Sequence, residues 1–181
     1  MVTTHKAHRE QLNISMVPDA LATPSDLTKA HVEAIAKAVN GLVADAFALY
    51  LKTKNFHWHL SGVHFRDLHL LFDEQAEAIF ASIDLLAERV RRIGGTTLRS
   101  IGHVQALSSI ADDDEAFVPA PEMVKRLMDD NRRMVAAMRA AHAICDDGQD
   151  VGTASILENL IDETERRVWF LFEVHQGMQT A

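Results

Sequence analysis

The sequence predicts an all-α protein, a four-helix bundle of two long helical hairpins joined by a long crossover that carries a short extra helix. Three observations lead there. Apolar residues recur at intervals of three, four or seven along four long stretches, which is the stripe of a 3.6-residue helix and not the alternation of a strand. Turn and breaker residues fall between those stretches, at Ser61-Gly62, Gly94-Gly95, Pro121 and the run Asp146-Asp147-Gly148-Gln149-Asp150. Four prolines and eight glycines in 181 residues leave room for long helices, and abundant alanine, leucine, glutamate and arginine favour them.

Composition bounds the function. At 181 residues the chain is long enough for one domain with a sizeable core and short for two. The formal charge of −8 argues against a generally basic, nucleic-acid-binding surface and suits one that attracts cations. Cys145 is the single cysteine and cannot form an intrachain disulfide, which points to a reducing compartment. No apolar run approaches the roughly 20 residues of a membrane span, and the first residues lack a secretory apolar stretch. A cytoplasmic protein with no membrane partner is expected.

Residues 1–24 show no sustained period, and Pro18 and Pro24 break any helix, so this segment reads as an extended N-terminal tail. His5, Lys6, His8 and Arg9 make it weakly basic. The bundle domain spans 25–177. Ser25 or Asp26 is expected to cap the first helix, which runs to about His59 with Leu27, Val32, Ile35, Val39, Leu42, Val43, Phe47 and Leu51 as its apolar face. The second helix runs from about His64 to Ile93 on Leu68, Phe72, Ile79, Ile83, Leu86, Val90 and Ile93. Gly94-Gly95 ends it, and Arg89, Arg91 and Arg92 sit in its last turns, where the helix dipole favours cations.

Thr96 to Pro121 is a long connection, with a short helix expected over 103–110. Asp112-Asp113-Asp114-Glu115 reads as a solvated acidic loop or a helix cap. Pro121 opens the third helix from a permitted first-turn position. Met123, Val124, Leu127, Met134, Val135, Met138 and Ile144 face inward, the methionines as adaptable core packing. The last helix runs from about Asp150 to Gln176, with Ile156, Leu160, Ile161, Val168, Leu171 and Phe172 inward.

The second helix also carries chemistry. His69 and Asp73 are i, i+4, and so are Asp84 and Glu88, so each pair shares a side. Eleven residues advance a helix by about 1100°, only about 20° past three full turns, which puts both pairs in one sector. They do not share a height: Asp73 and Asp84 are roughly 16 Å apart along the axis, whereas metal–ligand bonds are about 2 Å long. Each pair is therefore half of a site. A second copy of the helix, antiparallel across a two-fold axis, would bring His69 and Asp73 of one chain to Asp84 and Glu88 of the other. His57 joins the first half, because it lies about a turn before the Ser61-Gly62 connection and His69 about a turn after it. The assembled set, two imidazoles and three carboxylates without a thiolate, suits iron, manganese or zinc.

The spacing alone equally admits a plainer reading, in which these are surface or capping residues and Glu88 pairs with Arg92 four residues on. Trp58, beside His57, reads as a packing residue at a dimer seam. His59 and His64 read as hydrogen-bonding or surface histidines.

The run K-x-x-N-F-H-W-H-L-S-G-V-H-F-x-x-L-H-x-x-F-D from Lys52 to Asp73, then D-x-x-A-E-R from Asp84 and I-G-G from Ile93, resembles the Dps family. These are the DNA-protection-during-starvation proteins, or miniature ferritins. The resemblance implies a ferritin-like four-helix bundle, a dodecameric hollow shell, and a ferroxidase centre between two-fold-related subunits. The residues of that centre fall on His57, His69, Asp73, Asp84 and Glu88, with Trp58 close to the iron. The resemblance also implies pores on three-fold axes, lined by acids at the start of the last helix, through which iron enters. The family's D-x-x-T-x-[DE] pattern here runs from Asp150 to Ser155, so Asp150 is kept, Ser155 replaces the second acid, and Asp146 and Asp147 stand close enough to compensate. The short crossover helix would lie at the dimer interface.

The implied function is that of an enzyme and store. Fe²⁺ would be oxidised by hydrogen peroxide, which the resemblance favours, or by O₂, and ferric mineral would grow inside the homo-oligomer, protecting DNA from oxidative damage. The competing function is a nucleoid-associated protein that binds and compacts DNA, with iron oxidation secondary. The charge of −8 and a tail poor in lysine weigh against tight DNA binding. A purely structural bundle is opposed only by the ligand geometry and the family match.

Overall fold

The computed structural model describes residues 17–179, and the basic segment His5–Arg9 of the expected tail lies outside them. Among the described residues, a 3-10 turn at Asp19–Leu21 precedes five helices: α1 (Lys29–His59), α2 (Phe65–Arg92), α3 (Ile101–Leu107), α4 (Ala120–Asp147) and α5 (Val151–Gln179). No strand occurs among the described residues. α1 packs along α2 and α4 along α5, and the two hairpins meet chiefly through α1 against α4, with α2 touching α5. α3, in the crossover, packs on α1. This is the all-α ferritin-like bundle expected, with its extra helix in place.

The core is the meeting of the four apolar stripes. Ile35, Leu49 and Phe56 of α1, Leu68, Phe72, Ile79 and Leu86 of α2, Met123, Leu127 and Met138 of α4, and Leu157 and Leu171 of α5 are fully buried. Each such side chain contributes about 1.5–3 kcal/mol of burial. α1 is long and apolar enough, by length and composition, to cross a membrane, which corrects the expectation that no stretch approaches that length. More than half of that apolar window is buried in the bundle.

Buried polar groups tie the hairpins and the crossover together. Lys52 of α1 donates to Asp130 of α4 at 2.7 Å, with side chains only 7% and 6% exposed; removing one partner of such a pair costs about 3–5 kcal/mol. Asp45 accepts from the Ser108 hydroxyl at 3.1 Å and the Ser109 hydroxyl at 2.8 Å, and also from the Ser109 N–H. The Asn40 amide donates to the Thr96 carbonyl at 2.8 Å. The crossover is therefore pinned to α1 at its start, through Thr96, and just after α3, through Ser108 and Ser109.

Several details differ from the sequence expectation. Thr28, not Ser25 or Asp26, caps α1, its side chain accepting from the His31 N–H at 3.2 Å; Ser25 instead closes a local turn onto the Leu27 N–H. Leu51 is 59% exposed, and the buried stripe continues through Ala46, Leu49, Thr53 and Phe56. Ile144 and Phe172, expected inward, are partly exposed. The acidic loop is buckled onto α4 by Arg126, which reaches both Asp113 and Glu115 at 2.9 Å. Gly94, at φ 90°, closes α2: the Gly95 N–H bonds the Val90 carbonyl at 2.9 Å and the Gly94 N–H bonds that of Arg91 at 3.1 Å.

Candidate metal centre

The first hairpin builds the site. α1 ends at His59, the connection turns at Gly62 with φ 114°, and α2 begins at Phe65. Only glycine adopts that φ without strain. The turn lays the last turn of α1 against the first turns of α2, so His57 meets His69. Their rings stack with centroids 3.7 Å apart and planes 19° apart. His57 Nδ1 lies 2.8 Å from the His69 carbonyl and His69 Nδ1 lies 3.1 Å from the His57 carbonyl. A carbonyl only accepts, so each Nδ1 carries the proton and donates. The lone pair of each ring is then on Nε2, the tautomer in which an imidazole binds a metal. The His57 carbonyl is also one of the last four of α1, which lack a helical partner, and the His69 ring supplies one. Phe65 stacks at 5.0 Å on His69.

Asp73, one turn beyond His69, places Oδ1 3.9 Å from His57 Nε2. Two ligands sharing one ion through bonds of about 2.1 Å can be at most about 4.2 Å apart, so the pair fits one cation. The Lys54 ammonium now holds that carboxylate: its hydrogen bond to Asp73 Oδ1 keeps the acid below the usual carboxylate range. Lys54 was missing from the expected site, although it stands one helical turn before His57 in sequence.

The second half-site lies farther along α2. Asp84 and Glu88 are both exposed. Glu88 accepts from Arg92 at 2.5 Å, with both side chains more than half exposed, so the plainer pairing does form within one chain. An exposed pair of this kind is worth only about 0–1 kcal/mol and yields readily to a cation. The structure brings His57, His69 and Asp73 together and leaves Asp84 and Glu88 apart from them. Among the described residues, no three His, Cys, Asp or Glu side chains of one chain converge on a single point. Trp58 is 59% exposed and lines a cleft of about 400 Å³ with Leu51, Asn55 and the acidic loop. His59 bonds the Asn55 carbonyl at 2.9 Å and His64 occupies the N-cap of α2, so neither joins the site.

This geometry sits in a recognisable lineage. The Ferritin family model, a ferritin-like domain, matches residues 36–180. DNA protection during starvation protein 1 of Deinococcus radiodurans is 30% identical over 164 residues, 91% of this chain and 79% of its own length. The chain belongs to the Dps family. An archaeal Dps homologue from Halobacterium salinarum matches with a TM-score of 0.81 at 28% identity, over 96% of this chain and 94% of its own. The Dps protein of Vibrio cholerae O1, described as a member of a broad superfamily of ferritin-like diiron-carboxylate proteins, matches at 0.79 and 25% identity, over 86% and 98%.

In this Dps chain the start of α5 departs from the sequence expectation. Asp150 is 4% exposed. It caps α5 by accepting the Thr153 N–H at 3.0 Å, takes the Thr153 hydroxyl as well, and accepts Arg89 of α2 at 2.5 Å. Burial pushes its carboxyl up, but the Thr153 hydroxyl and N–H together with Arg89 outweigh that and hold it below the ordinary value. Asp150 is thus a helix cap and ion-pair partner inside the chain rather than a free pore carboxylate. Asp146, Asp147 and Ser155 are exposed.

Proposed function

We propose that this chain is a ferroxidase mini-ferritin that takes Fe²⁺ as its substrate at centres completed across a two-fold dimer interface. The observation that carries the reading is the reciprocal lock of His57 and His69. It presents two Nε2 lone pairs beside the Asp73 carboxylate and leaves the chain's other acidic pair, Asp84 and Glu88, roughly 16 Å along α2, where only a second copy can use it. Exposed Leu51, Trp58, Phe80 and Ile101 support such a seam. The oxygen donors favour Fe³⁺ as charge rises, and the neutral imidazoles admit Fe²⁺. Two Fe²⁺ give one electron each to one hydrogen peroxide, which takes two protons and leaves as two waters; O₂ is the alternative oxidant. Twelve chains in the family's shell would hold the ferric product inside, keeping iron and peroxide from DNA. Asp146 and Asp147 are the acids left to line an iron route. A reducing cytoplasm suits the buried Cys145, whose thiol burial pushes up to about 11 and so keeps unreactive.

The test is an anaerobic Fe²⁺ titration of the assembled protein followed by peroxide. The reading expects saturable binding, consumption of one peroxide per two Fe²⁺, and ferric absorbance that co-elutes with the shell. Oxidation at the buffer rate, with ferric iron separating from the protein, would overturn it.

A further inference from the structure

The outward face of α5 carries an aromatic pair that the described residues leave uncovered. Trp169 is 58% and Phe172 44% exposed, and at i, i+3 the two are neighbours on one face. Two residues turn a helix by about 200°, so Trp169 points away from the fully buried Leu171, which faces the bundle. Trp169 is also held in place. Its Nε1–H donates to Glu173, one turn on, at 3.0 Å, and its ring meets Phe170 edge-on with centroids 5.4 Å apart. The Arg166 guanidinium in turn covers the Phe170 ring at 5.1 Å. A large exposed ring already fixed by its neighbours loses little freedom when a partner covers it, which is the quality of an interface anchor.

The position of the pair says which partner fits. α5 packs on α4 and touches α2, and so stands diagonal to α1 in the bundle. The seam proposed for the two-fold lies on α1, α2 and α3, at Leu51, Trp58, Phe80 and Ile101, and it leaves the outward face of α5 open. A two-fold contact closes on itself and stops at a dimer, so a hollow shell needs a second kind of contact between dimers. Side chains standing out from a helix do not make a small-molecule site, since such sites are concave. The exposed carboxylates of Asp162, Glu165 and Glu173 on the same side disfavour an anionic lipid surface. We infer that Trp169 and Phe172 anchor this second contact by docking on a copy of the chain from a neighbouring dimer. The inference rests on the shell reading given above. It separates oxidation, which needs only the two-fold, from retention of the ferric product, which needs the shell.

The test is the mass of the full-length protein by light scattering without iron, a readout that stands whether or not the ferroxidase reading does. The wild type should be a shell, and Trp169→Glu/Phe172→Glu should be a dimer with wild-type helix content by circular dichroism. Given Fe²⁺ and peroxide, that dimer should oxidise iron within about twofold of the wild-type rate per chain, because its two-fold is intact. Its ferric product should separate from the protein. If the double variant fails to fold, Trp169→Ala decides: its shell should fall apart at a protein concentration at least about tenfold higher than the wild type does. The inference is overturned if the double variant assembles as the wild type does, or if Trp169→Ala dissociates at the wild-type concentration. It is equally overturned if the wild type is no larger than a dimer, or if the double variant is a folded monomer, which would put the pair in the two-fold seam. A wild-type shell and a variant dimer that both fail to oxidise iron would uphold the docking pair and remove the ferroxidase reading alone.

Discussion

His57 and His69 hold each other's rings: each Nδ1 donates to the other's main-chain carbonyl, at 2.8 and 3.1 Å. The two bonds set the tautomer of both rings and, with their stacking, join the end of α1 to the start of α2. Replacing either histidine removes one proposed ligand and the ring on which the other stacks, while the main-chain acceptor of the other ring remains. His57→Ala and His69→Ala are each expected to slow peroxide-driven Fe²⁺ oxidation by at least about 100-fold while costing only about 1–2 kcal/mol of stability. Stopped-flow absorbance and urea unfolding check the two numbers. A large loss of stability with oxidation intact would assign the pair to structure alone.

Lys54 sits where a metal would compete for Asp73. Lys54→Met should leave Asp73 to the cation and tighten Co²⁺ binding at neutral pH by up to about tenfold, the gain being limited by the partial exposure of both side chains. Losing Lys54 also lets the Asp73 carboxyl rise toward its ordinary value, so metal binding in the variant should fail at a higher pH than in the wild type as acid is added. Weaker binding at neutral pH would mean that Lys54 supports the site.

Asp150 should govern acid stability. Its carboxyl titrates below the ordinary value in the folded chain, so it contributes stability above the unfolded value of about 3.9 and loses it as pH falls through the folded value. Asp150→Asn leaves Arg89 without its buried partner and should cost about 3 kcal/mol at neutral pH. The difference from wild type should shrink below about pH 4, as urea unfolding at several pH values would report. An equal difference at all pH values would remove Asp150 from the acid transition.

Much of this was legible in the residues. Periodicity gave every helix to within a few residues, because Gly62, Gly94 and Pro121 punctuate it with unambiguous chain chemistry. Spacing paired His69 with Asp73 and placed His57 opposite them, since one turn before and one turn after a tight connection is a fixed geometry. What pattern could not supply were the partners of charged groups across elements. Lys54 with Asp73, Lys52 with Asp130 and Arg89 with Asp150 each join helices whose relative rotation only packing decides. The same blindness made Leu51 and Phe172 look like core residues: both belong to apolar arcs wider than one neighbouring helix can cover.

The N-terminal segment should not grip DNA. His5, Lys6, His8 and Arg9 are few against a net charge of −8, and phosphate neutralisation weakens steeply with salt. Deleting residues 1–10 should change duplex retardation little at about 150 mM salt. Tight binding by the intact protein, abolished by the deletion, would contradict this.

The shared centre is tested most directly by mixing two inactive variants. His69→Ala damages one half-site and Glu88→Ala the other, so each homo-oligomer should be inactive. In a mixed dimer one interface site carries both lesions and the other carries neither. Co-refolding equal amounts should restore up to roughly a quarter of wild-type Fe²⁺ oxidation, since half of randomly formed dimers are mixed and each regains one of two sites. If His69 and Glu88 serve one centre within the same chain, mixing restores nothing, and the two-chain centre is wrong.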